Sequence, residues 1–140
     1  MVGKKGLMKR SALMRGRIAR TNPLTHPRWL LHAEGAVLLA ASVAGFDAVG
    51  GHWWLFVLLP LTPDLSAVGY LVNPGFGATC YNSVHTLVLP VILLAIGIVT
   101  PHPLLSSLAL VWLAHVGLDR LVGFGLKYPT KFQDTHLQRV

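Results

Sequence analysis

Residues 79–99 read TCYNSVHTLVLPVILLAIGIV, a run of 21 residues without a single Lys, Arg, Asp or Glu. At a rise of about 1.5 Å per residue, a helix of this length matches a hydrocarbon core about 30 Å thick. Similar runs lie at about residues 30–46, 53–72 and 104–124. In all of them apolar residues follow one another directly instead of alternating with polar ones, which argues against the strands of a membrane barrel. The sequence therefore predicts an all-α integral membrane bundle of four transmembrane helices.

The composition supports a membrane protein, with 53% hydrophobic residues and only 12% charged residues. The net charge of +7 does not indicate a nucleic-acid partner, because eight of the twelve Lys and Arg precede Trp29 and the rest lie at or beyond the end of the last apolar run. This clustering follows the positive-inside pattern. We therefore expect both termini in the cytoplasm and a multi-pass protein of the cell inner (plasma) membrane. Cys80 is the only cysteine, so no internal disulfide is expected.

Three regions follow from this pattern. Residues 1–28 form a basic N-terminal tail, disordered or interfacial, that is expected to meet the lipid bilayer and its anionic headgroups. Residues 29–125 form the four-helix transmembrane domain. Residues 126–140 mix aromatic, Pro and His residues, and we expect this C-terminal tail to fold back on the cytoplasmic membrane face.

Ionisable side chains interrupt the apolar runs. A carboxylate at membrane depth costs about 2.5–3.5 kcal/mol on insertion scales, so each is a functional-site hypothesis. Because consecutive helices run in opposite directions, all of them fall about 5–13 Å from the cytoplasmic edge. Two imidazoles and two carboxylates have the donor types of a divalent metal site. The predicted ligands of a zinc, manganese or magnesium ion are Asp64, His85, His115 and Asp119.

Further residues are assigned around that centre. Glu34 is the candidate general base or a fifth ligand. The predicted substrate contacts are Asn82, Arg120, Lys127 and His136, the last brought in by the C-terminal tail.

Structural explanations stay open for these residues. Asp64 is also expected to cap a helix broken by Pro63 or to pair with Arg120. His115 and Asp119, four residues apart on one helix face, are also expected to form a packing pair. Two uncompensated carboxylates would either take up protons or bind a cation, and the sequence does not choose.

The chain resembles a bacterial family of small four-helix membrane proteins that is classified as a domain of unknown function. The resemblance covers about residues 30–139 and implies an integral membrane location without supplying an activity. It rests on Pro63-Asp64-Leu65-Ser66, Gly69-Tyr70, Tyr81-Asn82, His85-Thr86, Pro90, Trp112-Leu113-Ala114-His115, Asp119-Arg120, Gly125-Leu126-Lys127-Tyr128-Pro129-Thr130 and Asp134-Thr135-His136-Leu137.

The order Pro-Asp, then His, then His-x-x-x-Asp also resembles small membrane proteins labelled metal-dependent hydrolases. Those carry further Asp and His residues where this chain has Ser66 and Asn82. The leading hypothesis is a metal-assisted hydrolase that acts on a lipid-linked or phosphoester substrate at the cytoplasmic leaflet. The alternatives are a non-catalytic accessory protein whose polar cluster is structural, and a small cation or proton carrier.

Overall fold

The structure, a computed structural model, describes residues 26–140. The predicted basic tail, residues 1–28, lies almost wholly outside the described residues. The elements of the described chain are α1 (Pro27–Ala48), α2 (Trp53–Leu58), a 3-10 helix (Pro63–Leu71), α3 (Pro74–His85), α4 (Val88–Val99), α5 (Pro103–Val122) and a final 3-10 turn (His136–Gln138).

Within residues 26–140, four helical spans are long and apolar enough to cross a membrane. Their bounds are Pro27–Ala48, Trp53–Leu71, Pro74–Val99 and Pro103–Val122. The predicted all-α fold with four spans is therefore confirmed. The cytoplasmic placement of the termini stays a prediction.

Helix α5 forms the centre of the bundle, and half of its twenty residues are buried. It packs against α1 at a close crossing of Gly35 and Gly117. A Cβ atom added at Gly35 would lie 2.8 Å from the Gly117 carbonyl oxygen, and one added at Gly117 would lie 2.7 Å from the backbone nitrogen of Leu39. Small residues let membrane helices approach this closely. The crossing fixes the rotation of α1 about its own axis.

The two middle spans are interrupted at proline residues. The second span is α-helical only to Leu58 and continues as a 3-10 helix from Pro63, with Pro60 in the turn between. The third span breaks at Thr86 and Leu87, between α3 and α4. Pro90 accounts for this break, because its ring would clash with the carbonyl of the residue four positions earlier, Thr86.

The third span begins earlier than predicted, at Pro74 rather than about residue 79. Asn73 is the N-cap of α3. Its side-chain oxygen accepts a hydrogen bond from the Phe76 backbone at 2.8 Å. A proline in the first turn loses no helical hydrogen bond, so the helix starts directly after the cap.

The C-terminal tail packs against the end of the bundle at which α3 begins and α5 ends. Gly123 ends α5 in the left-handed conformation, at φ 94°. Beyond it, Lys127 pairs with Thr135 in an antiparallel bridge, and Leu137 is buried. The tail therefore returns on itself as a short loop rather than extending away from the helices.

Candidate metal centre

Asp64 is positioned by the interruption of the second span. It is the second residue of the 3-10 helix, directly after Pro63. Its backbone nitrogen donates to the Leu61 carbonyl at 3.2 Å. The side chain is 46% exposed, which makes it the most open member of the site.

His85 is the last residue of α3, at the break before α4. Its side chain is only 3% exposed. The Nδ1 atom lies 2.8 Å from the Tyr81 carbonyl oxygen. A carbonyl has no hydrogen to give, so Nδ1 carries the proton and donates it. In the neutral ring the other nitrogen, Nε2, then presents a lone pair, as a metal-binding imidazole requires.

His115 and Asp119 lie one turn apart on α5. The His115 Nε2 and Asp119 Oδ2 atoms are 3.7 Å apart. The histidine side chain is 3% exposed and that of Asp119 is 17% exposed. Both therefore project from the central helix toward the interrupted spans rather than toward the outside of the bundle.

These four side chains converge on one point. One ligand-type atom of each lies within 4.8 Å of those of the other three. His85 Nε2 is 3.1 Å from His115 Nε2, 3.3 Å from Asp64 Oδ1 and 3.6 Å from Asp119 Oδ2. His115 Nε2 is also 3.6 Å from Asp64 Oδ1. Ligands at about 2.0–2.2 Å around a tetrahedral ion are about 3.3–3.6 Å apart. The group could therefore hold a metal ion with little rearrangement.

Hydrogen bonds alone satisfy this arrangement poorly. With its proton on Nδ1, a neutral His85 faces Asp64 with a lone pair. If His85 were instead charged, its single Nε2 proton would serve only one of the three neighbouring acceptors. A cation at the common point would be attracted to all four atoms at once.

Tyr81 supports the cluster and was not predicted as part of it. Its hydroxyl donates to Asp119 Oδ2 at 3.0 Å, and its ring stacks on His85 with centroids 3.5 Å apart. Outer hydrogen bonds of this kind orient the ligands of metal sites. The spacing Tyr81–His85, four residues on one helix face, was the available signal.

Arg120 does not neutralise the site. Among residues 26–140, no ion pair joins Arg120 to Asp64 or Asp119. The alternative in which Asp64 pairs with Arg120 is therefore not seen in the described chain. Within the described chain the two carboxylates therefore face the imidazoles and, at Asp119, the Tyr81 hydroxyl, but no Arg.

Asn82, predicted as a substrate contact, binds the tail instead. Its side-chain nitrogen donates to the Lys127 carbonyl at 2.9 Å, and its oxygen accepts from the Lys127 backbone nitrogen at 2.7 Å. Both polar atoms of the amide thus bind the backbone N–H and C=O of one residue, Lys127. Asn82 fixes the start of the tail beside the cluster.

The Lys127 side chain is enclosed rather than directed at the cluster. It is 5% exposed, and its Nζ atom donates to the Phe132 carbonyl at 3.2 Å. The same atom lies 4.2 Å from the centre of the Tyr81 ring. Burial lowers the pKa of Lys127 to about 8, although the negative charges of Asp119 and Asp64 oppose the shift. His136, the other tail residue predicted at the site, packs against Gly125.

The predicted general base, Glu34, does not join the group. Its neighbour Gly35 faces α5, and one residue along a helix turns the side chain by about 100°. Glu34 is consequently exposed, beside Leu30 and Val37 on the outer face of α1. The sequence predicted a depth for Glu34 but not the direction of its side chain.

The spans and the cluster define a multi-pass membrane protein with a group of residues able to hold a metal ion. Residues 28–140 match the model of a family described as a domain of unknown function, DUF4260, and the chain belongs to that family. The expected family membership is thereby confirmed. No curated protein and no solved structure matches the chain.

Proposed function

We propose that this protein is a membrane-embedded, metal-dependent hydrolase of phosphoesters. The observation that carries the proposal is the convergence of His85, His115, Asp64 and Asp119 from three separate segments onto one point. The separations of 3.1–3.7 Å resemble the edges of a tetrahedral ligand set. Asp64, the most exposed ligand, leaves one side of the centre open to a reactant.

Zinc is the preferred ion for this donor set. Two neutral imidazole nitrogens favour zinc over magnesium, which prefers oxygen ligands and retains its waters. Manganese, which accepts carboxylates and imidazole, is the second choice. Such an ion lowers the pKa of a bound water and polarises a phosphoryl oxygen.

The proposed reaction is hydrolysis of an ester at phosphorus. The water oxygen forms a bond to phosphorus, the bond between phosphorus and the ester oxygen breaks, and the alcohol leaves with one proton of the water. We assign the transfer of that proton to the second oxygen of Asp64, Oδ2, because Oδ1 is the atom that faces the proposed ion, whereas Glu34 lies on the outer face of α1. The cluster lies within the membrane-spanning segments, in the C-terminal half of α5, and this position favours a lipid-linked substrate.

A structural lock is the second candidate, and one observation favours it. The 3.1 Å separation of the two Nε2 atoms also fits a hydrogen bond between His85 and His115. In that case the cluster would tie α3 to α5 without an ion.

Metal analysis of protein purified in detergent separates the two candidates. We expect about one zinc ion per chain, lost in His115→Ala and Asp64→Asn. His102→Ala is the matched control, because His102 is exposed at the start of α5. Equal metal content in His115→Ala and His102→Ala would refute the metal site. Metal-loaded protein that releases no phosphate from a lipid phosphomonoester would refute the hydrolase.

A further inference from the structure

A half-enclosed cavity of about 350 Å³ lies beside the segments that carry the candidate metal centre. Its wall combines both interrupted spans with the central helix. The residues that define it are Leu59, Pro63, Val84, Leu93, Leu108 and Trp112. The breaks that present Asp64 and His85 thus also open this space.

The wall has little capacity to bind water. The Trp112 indole nitrogen already donates to the Val84 carbonyl at 2.7 Å. The hydroxyl of Thr62, the other polar side chain on the wall, donates to Leu59 at 2.7 Å. A buried water needs about 2–4 polar partners, which these groups no longer offer. The cavity therefore favours an apolar occupant.

The cavity adjoins the segments that carry the cluster, although none of the four proposed ligands lines it. Pro63 directly precedes Asp64, and Val84 directly precedes His85. Trp112 lies about one helical turn before His115, whereas Leu108 lies about 10 Å before it along α5. The space therefore starts beside the segments that carry the proposed ligands and extends along α5 into its N-terminal half.

We infer that this cavity binds the single hydrocarbon chain of the substrate, with the phosphoester at the cluster. Ligand pockets run from about 300 to 1,000 Å³, so this volume is at the small end and suits one chain rather than two. A helix of a partner protein, about 10 Å across, is too wide for it. The inference rests on the proposed function for the chemistry of the headgroup, but not for the occupancy of the cavity.

The test is photo-crosslinking with a single-chain alkyl phosphate that carries a diazirine in its chain, added to the full-length protein in phosphatidylcholine vesicles. We expect labelled peptides to contain Leu59, Leu93 or Leu108. Labelling confined to outward-facing residues such as Val57 and Val99 would overturn the inference.

Leu108→Trp fills the cavity and should lower labelling by about tenfold or more, since a single methylene in an apolar pocket already changes selectivity by about 10–200-fold. Leu104→Trp is the matched control, one turn earlier on α5 and 50% exposed. Leu93→Phe repeats the test if Leu108→Trp does not fold. Undiminished labelling in the folded variants would overturn the inference.

Chelator treatment separates this inference from the proposed function. Labelling of the cavity in protein that binds no zinc even when zinc is supplied after the chelator would support the chain site and refute the metal site. Zinc binding without labelling of the cavity would support the metal site and refute the chain site.

Discussion

Replacing Tyr81 with Phe changes the candidate metal centre by a single hydrogen bond. The hydroxyl donates to Asp119 Oδ2 at 3.0 Å, whereas the ring, which stacks on His85, is retained. In metal sites, loss of such an outer hydrogen bond lowers metal affinity by about 10–100-fold. That range corresponds to about 1.4–2.8 kcal/mol in binding free energy. We therefore expect Tyr81→Phe to bind zinc more weakly while it folds like the parent protein.

Zinc affinity is measured by competition with a chelator of known affinity, in detergent. Tyr70→Phe is the matched control, because it also removes one tyrosine hydroxyl. The Tyr70 hydroxyl is buried and has no hydrogen-bond partner within residues 26–140. We expect the control to stay within about twofold of the parent, as substitutions away from specific interactions do. If Tyr81→Phe binds zinc as tightly as Tyr70→Phe, Asp119 is not a ligand oriented by Tyr81.

Three further predictions concern the helix crossing and the tail. Gly35→Ala should lower the thermal unfolding midpoint, because the new Cβ would lie 2.6 Å from the Leu121 backbone nitrogen, whereas Gly75→Ala, with its nearest atom at 3.4 Å, should not. An unchanged midpoint in Gly35→Ala would contradict the close crossing. Asn82→Ala leaves the backbone N–H and C=O of Lys127 without their partner, at a cost of about 1–3 kcal/mol, and should speed tryptic cleavage of the tail. Equal cleavage rates would show that Asn82 does not hold the tail. The hydrogen bond from Arg139 lowers the pKa of Asp134 from 3.8 to about 2. The stabilisation that this ion pair gives is therefore fully present above pH 3.8 and is lost as the pH falls through 2. Carboxyl NMR titration should show this low pKa in the parent and a return toward 3.8 in Arg139→Gln, and equal pKa values would contradict the pairing.

Much of the fold could be predicted because the membrane imposes length and composition on each span. The runs near Leu30, Trp53 and Leu104 follow these constraints closely. The convergence of Asp64 with His115 could also be expected, because alternating helix directions place their polar residues at one depth. Depth comes from counting residues along a helix, and that information is present in the sequence.

Rotation about the helix axis could not be predicted in the same way. Glu34 faces outward, because the Gly35–Gly117 crossing determines how α1 is turned. Asn82 shares a face with His85, yet its amide binds the tail backbone. These outcomes depend on contacts between distant segments. A pattern of apolar residues does not encode them when nearly every face of a helix is apolar.

The energetics of the cluster argue for a ligand rather than for a packing role. Polar contacts between membrane helices contribute about 0.6 kcal/mol each on average, so the five cluster contacts that join separate segments stabilise the bundle by roughly 3 kcal/mol. Placing two carboxylates at membrane depth costs about 2.5–3.5 kcal/mol apiece. Packing alone thus recovers only about half of that cost, and Arg120 forms no ion pair with either carboxylate in the described chain. The proposed cation would add attraction to Asp64 and Asp119 beyond that of the imidazoles and of Lys127 in the tail.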